Sequence, residues 1–260
     1  MKNQIFVLLF SVLTSVSCDI LDPDEDGYFN WKSGGINSTD NDTKIPEDVK
    51  TLLKKDAEFL VFRDIISNRN LKENQIELPE SEIEKYYHGL VRIYNARNYS
   101  PINKIYNRQS IHVFESPSLV SLVVGIDTSV EWTHAWLNGQ RLTGNSSIDN
   151  LMETYNLSLS NIYSNFISLL SEKSYNLYAL SIMFKEIEGV NWAEPDGLIG
   201  GGNNVFAKKL NDGNLYYTFM VGWGDCPSGC INAHYWDVFV SIDGRVKFIK
   251  EYSDPLEWQN

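Results

Sequence analysis

The strongest constraint on how this chain can fold is a short stretch near its C-terminus, Gly222–Gly244, GWGDCPSGCINAHYWDVFVSIDG. Cys226 and Cys230 flank Pro227-Ser228-Gly229, residues that favour a tight turn and cannot continue a helix. Apolar runs of strand length lie on both sides. Val205–Leu210 and Leu215–Val221 flank Asn211-Asp212-Gly213-Asn214, and Val238–Ile242 and Val246–Tyr252 flank Asp243-Gly244. Each pair reads as a hairpin. The cysteine turn joins them, so four antiparallel strands should form a meander. In an oxidising compartment the two cysteines form a disulfide, and loop-closure entropy for so small a ring is worth only about 2 kcal/mol, so its role is local shape.

Two sharper readings of this stretch compete with the disulfide. Cys226, Cys230, His234 and Asp237 are all potential metal ligands. Strand alternation, however, puts His234, Trp236, Val238 and Val240 on one face and Tyr235, Asp237 and Phe239 on the other, so His234 and Asp237 should point apart. A redox pair is normally spaced C-x-x-C, and this is C-x-x-x-C. The expectation is a structural disulfide, with no metal and no cofactor.

The chain begins MKNQIFVLLFSVLTSVSC. Lys2 is a basic start, Ile5–Val12 is too short to span a bilayer, and Ser15 and Ser17 precede Cys18. The pattern resembles a bacterial lipoprotein signal, whose lipobox cysteine is acylated and becomes the mature N-terminus; Ser15 stands where leucine is usual. The acidic run Asp19–Asp26 resembles Bacteroidota lipoproteins, in which such residues direct export to the surface. These resemblances imply a signal peptide over 1–17, lipidation at Cys18, an acidic flexible tether over 18–45 and a globular domain over 46–260. They also imply lipid anchoring in the bacterial cell envelope, at the outer membrane, facing either the periplasm or the exterior. A cleaved secretory peptide, or an apolar N-terminus that is no export signal, is the alternative. Of three cysteines, acylation of Cys18 leaves an even pair.

The formal net charge of −12 argues against nucleic acid as a partner, because phosphate binding needs a basic patch. It equally disfavours attraction to anionic lipid headgroups, so membrane attachment would come from acyl chains. Asp22, Asp24, Asp26 and Gly27 match the front of an EF-hand loop, but Ser33 stands at the bidentate glutamate position and no helix pattern precedes it. The run is read as a solvated tether.

From Pro46 onward, Val49, Leu52, Leu53, Ala57, Leu60, Val61 and Ile65 recur at helical spacing. A second helix is expected over Glu82–Asn95, with Ser81 and Glu84 as a capping box. Strands are expected at Ile111–Phe114, Ser118–Ile126 and Val130–Leu137, the last placing Trp132, His134 and Trp136 on one face. A helix capped by Ser146 or Ser147 follows, then a strand around Ile162–Leu170, a helix over Leu177–Ile187 capped by Gly189, and a strand over Val190–Ala193. The stretch Asn176–Asp196, NLYALSIMFKEIEGVNWAEPD, is similar to the last helix and strand of the propeptide-inhibitor domain of subtilisin-like proteases, here through Val190, Glu194 and Pro195. That resemblance implies a ferredoxin-like α/β segment. Gly200-Gly201-Gly202 lacks the residues of a P-loop or dinucleotide fingerprint and reads as a flexible connection, with a sub-boundary near 197–203.

The expected fold class is therefore α+β: N-terminal helices, a ferredoxin-like segment, and a C-terminal antiparallel meander with a small disulfide loop. Gly224–Cys230 with His234–Trp236, GDCPSGC…HYW, resembles secreted Bacteroidota proteins of unassigned activity. The functional expectation is a surface or periplasm-facing lipoprotein that binds a protein or glycan, non-enzymatic, with Trp132, His134, Trp136, Trp223, His234 and Tyr235 as the candidate surface. The alternative is a secreted hydrolase, metal-dependent or not, built on His234 or His134, with His112 and carboxylates such as Asp225 or Asp237. No G-x-S-x-G or H-E-x-x-H signature accompanies it. A third reading is a structural component of a larger envelope assembly.

Overall fold

The computed structural model describes residues 34–256. The expected signal peptide over 1–17, Cys18 and the EF-hand-like acidic run lie outside the described residues. The assignment of 18–45 to a free tether needs correction at its C-terminal end. Strand β1 (Ile36–Asn37) pairs with Val246 and Arg245, Arg92 holds Asp40 at 3.0 Å, Tyr87 donates to Asp42 at 2.7 Å, and Ile45 is buried. Polar partners on the helices and a strand edge fix a stretch whose composition alone reads as linker.

Helix α1 (Glu47–Ser67) starts beside Pro46, as its apolar stripe predicts, and buries Leu53, Ala57, Leu60, Val61 and Ile65. Two short helices escaped the sequence reading: α2 (Arg69–Asn74), capped by Asn68, and, after α3 (Glu80–Asn95), α4 (Ser100–Asn103), which runs into a single π-helical turn, Lys104–Arg108. The Ser81–Glu84 capping box does not form. Pro79 occupies the cap position of α3 without a side-chain bond, its fixed φ already suiting the helix start. Ile111–Phe114 forms no strand: Val113 N–H donates to Asp56 Oδ1 at 2.8 Å and Ile111 N–H to the Ile105 carbonyl.

The middle of the chain runs β2 (Ser121–Ile126), α5 (Thr133–Leu137), α6 (Ser146–Thr154), β3 (Ser158–Ile162), β4 (Phe166–Leu170), α7 (Leu177–Lys185) and β5 (Val190–Pro195). The sheet order is β3-β4-β2-β5, with every pair antiparallel. Strand–helix–strand–strand–helix–strand with that order is the ferredoxin-like topology. What reads in sequence as one strand around Ile162–Leu170 is a hairpin. Val130–Leu137 is not a strand: a turn anchored by Ser129 N–H on Asp127 Oδ1 leads into α5. There Trp132 and Trp136, four residues apart, meet edge-to-face at 5.2 Å. Asn145, rather than either serine, caps α6 through Ser147 and Ile148 N–H.

The chain then returns to form β6 (Asn204–Lys209), β7 (Leu215–Trp223), β8 (Asn232–Val240) and β9 (Arg245–Ser253) in a five-stranded sheet of order β1-β9-β8-β7-β6. The four-stranded meander is present, with β7 and β8 paired from Leu215↔Val240 to Trp223↔Asn232. Tyr217, Phe219, Trp236, Val238 and Val246 share one buried cluster with the inward stripes of α1 and α3. The N-terminal helices and C-terminal hairpins thus share one core. The ferredoxin-like segment between them has its own, built around Trp136, Phe184, Ile167 and Leu122.

At Gly89 in α3 a Cβ would lie 2.1 Å from the Tyr217 hydroxyl. Its absence lets that hydroxyl donate to the Tyr86 carbonyl at 2.9 Å, so helix and sheet meet at a distance no side chain would permit.

Candidate functional site

Cys226 and Cys230 form the expected disulfide inside a tight turn containing a short 3₁₀ segment, Cys226–Ser228. Gly200–Gly202 is more than a connection. Gly201 N–H donates to the Cys226 carbonyl at 2.7 Å, and a Cβ at Gly200 would lie 2.8 Å from the same oxygen. On the other side, a Cβ at Gly222 would lie 2.7 Å from Cys230 Sγ. The glycines admit the disulfide loop between two backbones.

The candidate binding residues do not converge. Trp132 and Trp136 are 8% and 0% exposed and belong to the second core, so they are withdrawn from any binding surface. Helical spacing turns both rings inward, and Trp132 donates to the Glu188 carbonyl at 2.8 Å. His134 points out beside them with Nε2 2.9 Å from the Thr128 carbonyl. Trp223 packs at the edge of the first core. Tyr235 lies on the opposite face of that sheet, stacked on Tyr252 at 5.2 Å.

His234 is buried between acceptors. Its Nδ1 lies 2.6 Å from the Asp254 carbonyl and its Nε2 lies 3.0 Å from Glu251 Oε1. Lys104 reaches both oxygens of the same carboxylate, at 2.9 and 2.7 Å. Burial opposes ionisation of Glu251, yet Lys104 and His234 more than offset it and hold its carboxyl below the ordinary value. Asp237 faces the other way, taking the Thr218 hydroxyl at 2.7 Å, as strand alternation requires. His112 sits in a third place, against Asp56. The proposed histidine sites therefore occupy separate environments, and among the described residues no group of three or more His, Cys, Asp or Glu side chains is arranged to hold a metal.

A concavity that gathers both signs of charge lies at the seam between the two cores. One wall is a polar stripe of α1, Thr51, Lys54, Lys55 and Glu58, spaced i, i+3, i+4, i+7 so that all four face one side. The facing wall comes from Glu115, Ser118 and the turn Glu172–Ser174, with Glu80 at the end. Phe59, Ile83 and Leu119 underlie it, and the cleft encloses about 520 Å³. Backbone bonds hold the far wall in place, Tyr175 N–H to the Leu119 carbonyl and Ser171 N–H to the Val120 carbonyl, both at 2.8 Å.

Within the cleft, Lys54 pairs with Glu80 at 3.1 Å and Lys55 with Glu115 at 3.2 Å, while the Ser174 hydroxyl donates to Glu58 at 2.7 Å. Hydrogen bonding to Glu80 raises the Lys54 ammonium above its ordinary value, and Glu77 does the same for Lys173. Both therefore stay charged throughout the physiological range. These half-exposed pairs exchange readily with water or a ligand. None of these residues was singled out by sequence reading, since a polar helix stripe looks like any solvated face and its partners are scattered.

Comparison with known proteins finds no matching family model, curated protein or solved structure.

Proposed function

We propose that this chain is a lipid-anchored protein of the bacterial envelope that binds a polar ligand, a peptide or glycan segment, in the cleft between its two cores. The anchor rests on the lipobox-like approach to Cys18 and the acidic run that follows it. The binding reading is carried by the cleft itself. It is concave, it lies where two packed units meet, and it presents ammonium groups, carboxylates and hydroxyls together. Such a lining suits a zwitterionic or hydroxyl-rich segment, which can replace the internal pairs one for one. His134 and His234 are each held by acceptors outside the cleft, so no observation favours the hydrolase alternative at those residues.

The test is to probe peptide and glycan arrays with the full chain and with a Glu58→Gln/Lys173→Ala variant. The expected result is a ligand held by the wild type whose affinity falls by about tenfold in the variant, the loss of roughly 1.4 kcal/mol. A ligand bound equally by both would move the site elsewhere, and no ligand of either class would end the reading. Incorporation of an alkyne-tagged fatty acid into the wild type but not into Cys18→Ala tests the anchor separately.

A further inference from the structure

Strand alternation divides the four-stranded sheet into two faces. Val124, Ile167 and Ala193 turn into the second core with the apolar residues of α5, α6 and α7. Their strand neighbours Gly125, Phe166 and Trp192 turn the other way, and register sets these side by side, Phe166 opposite Gly125 and Gly125 opposite Trp192. Two strands apart, the rings would stand about 10 Å from one another. Their centroids lie 6.2 Å apart, because the indole leans across the glycine. A Cβ at Gly125 would lie 2.1, 2.3 and 2.6 Å from Nε1, Cε2 and Cδ1 of Trp192. The indole is therefore laid flat on the strand with its other face toward solvent, and Trp192 is 39% exposed. The β3–β4 turn adds a third ring. Tyr163 N–H donates to the Phe166 carbonyl at 3.0 Å, and the Tyr163 ring, on a residue 48% exposed, stacks on Phe166 at 4.2 Å with the planes 19° apart.

Tyr163, Phe166 and Trp192 form an open aromatic platform, and its surroundings narrow what can lie on it. The negative face of an aromatic ring attracts polarised C–H bonds, which a pyranose presents on its flat faces while its hydroxyls point outward from the rim. One row along the same face, about 7 Å away, stand Asn161, Ser168 and Glu194, linked in register through Val123. An amide, a hydroxyl and a carboxylate can each bond such a rim. Charge selects among stacking ligands. Strands β2 to β5 contain no lysine or arginine, and Glu194 is their one acidic side chain, in a chain of net charge −12. Nucleic-acid bases also stack on exposed rings, but their phosphates need cations to neutralise them. Area argues against a second copy. A ring of this kind buries about 150–250 Å² in full, so three partly covered rings offer on the order of 300 Å², well short of the roughly 800 Å² per partner of a stable protein contact.

We propose that this face is a stacking site for neutral oligosaccharides, with pyranose rings on Trp192 and on the Tyr163–Phe166 pair and hydroxyls toward Ser168 and Glu194. The rings supply contact area at small entropic cost, and the polar row sets the orientation of the sugar. None of these residues lines the cleft at the seam, so the site does not depend on the cleft being occupied.

Affinity electrophoresis of the full chain through gels containing soluble β-glucan, galactomannan or amylose tests this. Retarded migration in at least one gel is expected, with affinity about tenfold weaker in Trp192→Ala and in Tyr163→Ala. The cleft variant Glu58→Gln/Lys173→Ala should migrate as the wild type does, which separates this site from the cleft. No retardation in any gel would overturn the proposal, as would retardation equal in the wild type and both aromatic variants. Binding of oligothymidylate that Trp192→Ala abolishes would assign the platform to bases instead. A monomer–dimer equilibrium in sedimentation that Tyr163→Ala abolishes would assign it to a second copy, and either result overturns the proposal. Tyr163 is an exposed turn residue, so its variant keeps the test decisive if Trp192→Ala does not fold.

Discussion

Asp56 and His112, 56 residues apart in sequence, pair where a buried carboxylate meets a partly buried ring, Asp56 Oδ2 lying 2.7 Å from His112 Nδ1. The other Asp56 oxygen accepts Val113 N–H, so one carboxylate on α1 fixes the extended segment that leads out of the first core. Burial pushes the Asp56 carboxyl above its ordinary value, with His112 and Val113 opposing it. Asp56→Ala should lower the unfolding free energy by about 3 kcal/mol, because it strands a buried N–H and a ring nitrogen. Asp56→Asn, which keeps an acceptor for Val113, should cost less than half as much. Because folding makes this carboxyl harder to ionise, the wild type should lose stability relative to Asp56→Asn as pH rises past 3.8. Urea titrations across acidic pH check both points, and equal losses in the two variants would remove the hydrogen-bonding account.

The Lys104–Glu251–His234 chain has the opposite pH sign. A carboxyl depressed in the fold contributes stability that is complete above the unfolded value of 4.5 and disappears as pH falls through the lower folded value. Melting temperatures measured from pH 6 to about pH 3 should therefore drop more steeply for the wild type than for Glu251→Gln. Parallel curves would mean that Glu251 is not preferentially ionised in the folded state.

Gly222 and the disulfide should be coupled. Removing the disulfide with Cys226→Ser/Cys230→Ser should cost about 2 kcal/mol, the loop-entropy value for so short a ring. Gly222→Ala forces a Cβ to within 2.7 Å of Cys230 Sγ and should cost about 1–3 kcal/mol by overpacking. Without the disulfide the side chain at position 230 can turn away, so the triple variant should be more stable than the sum of the losses implies. Additive losses in a double-mutant cycle would show that the contact is not what makes Gly222 necessary.

Separate cores predict separable damage. Trp136→Ala, at a fully buried ring of the second core, should cost about 3–5 kcal/mol. Hydrogen exchange should then accelerate first in β2, β4 and α7, while β7 and β8 keep their protection. Uniform loss of protection would show that the two cores unfold as one unit.

Much of the fold was legible in the sequence, and the reason is local. The α1 stripe, the hairpins around Asn211–Asn214 and Asp243–Gly244, and the cysteine turn each follow from spacing and turn chemistry within about ten residues. The alternation of strands and helices through the middle of the chain was legible from periodicity, while its ferredoxin-like order is shown by the strand pairing. Val130–Leu137 defeated this reasoning because Trp132 and Trp136 satisfy both a two-residue and a four-residue period. The Asp127 turn and the packing of Trp136 near Phe184, at 6.5 Å, selected the helix.

What the sequence determined by itself was therefore helix α1, the two C-terminal hairpins with their turns, the cysteine pairing and the facing of His234 away from Asp237. All depend on neighbours along the chain. Only the tertiary structure decided that residues 45–119 and 205–256 build one core, with a second formed by the segment between them, and that Glu58 would meet Ser174 across 116 residues at the seam. Those arrangements depend on which apolar faces cover one another, a competition among distant surfaces that no local pattern encodes.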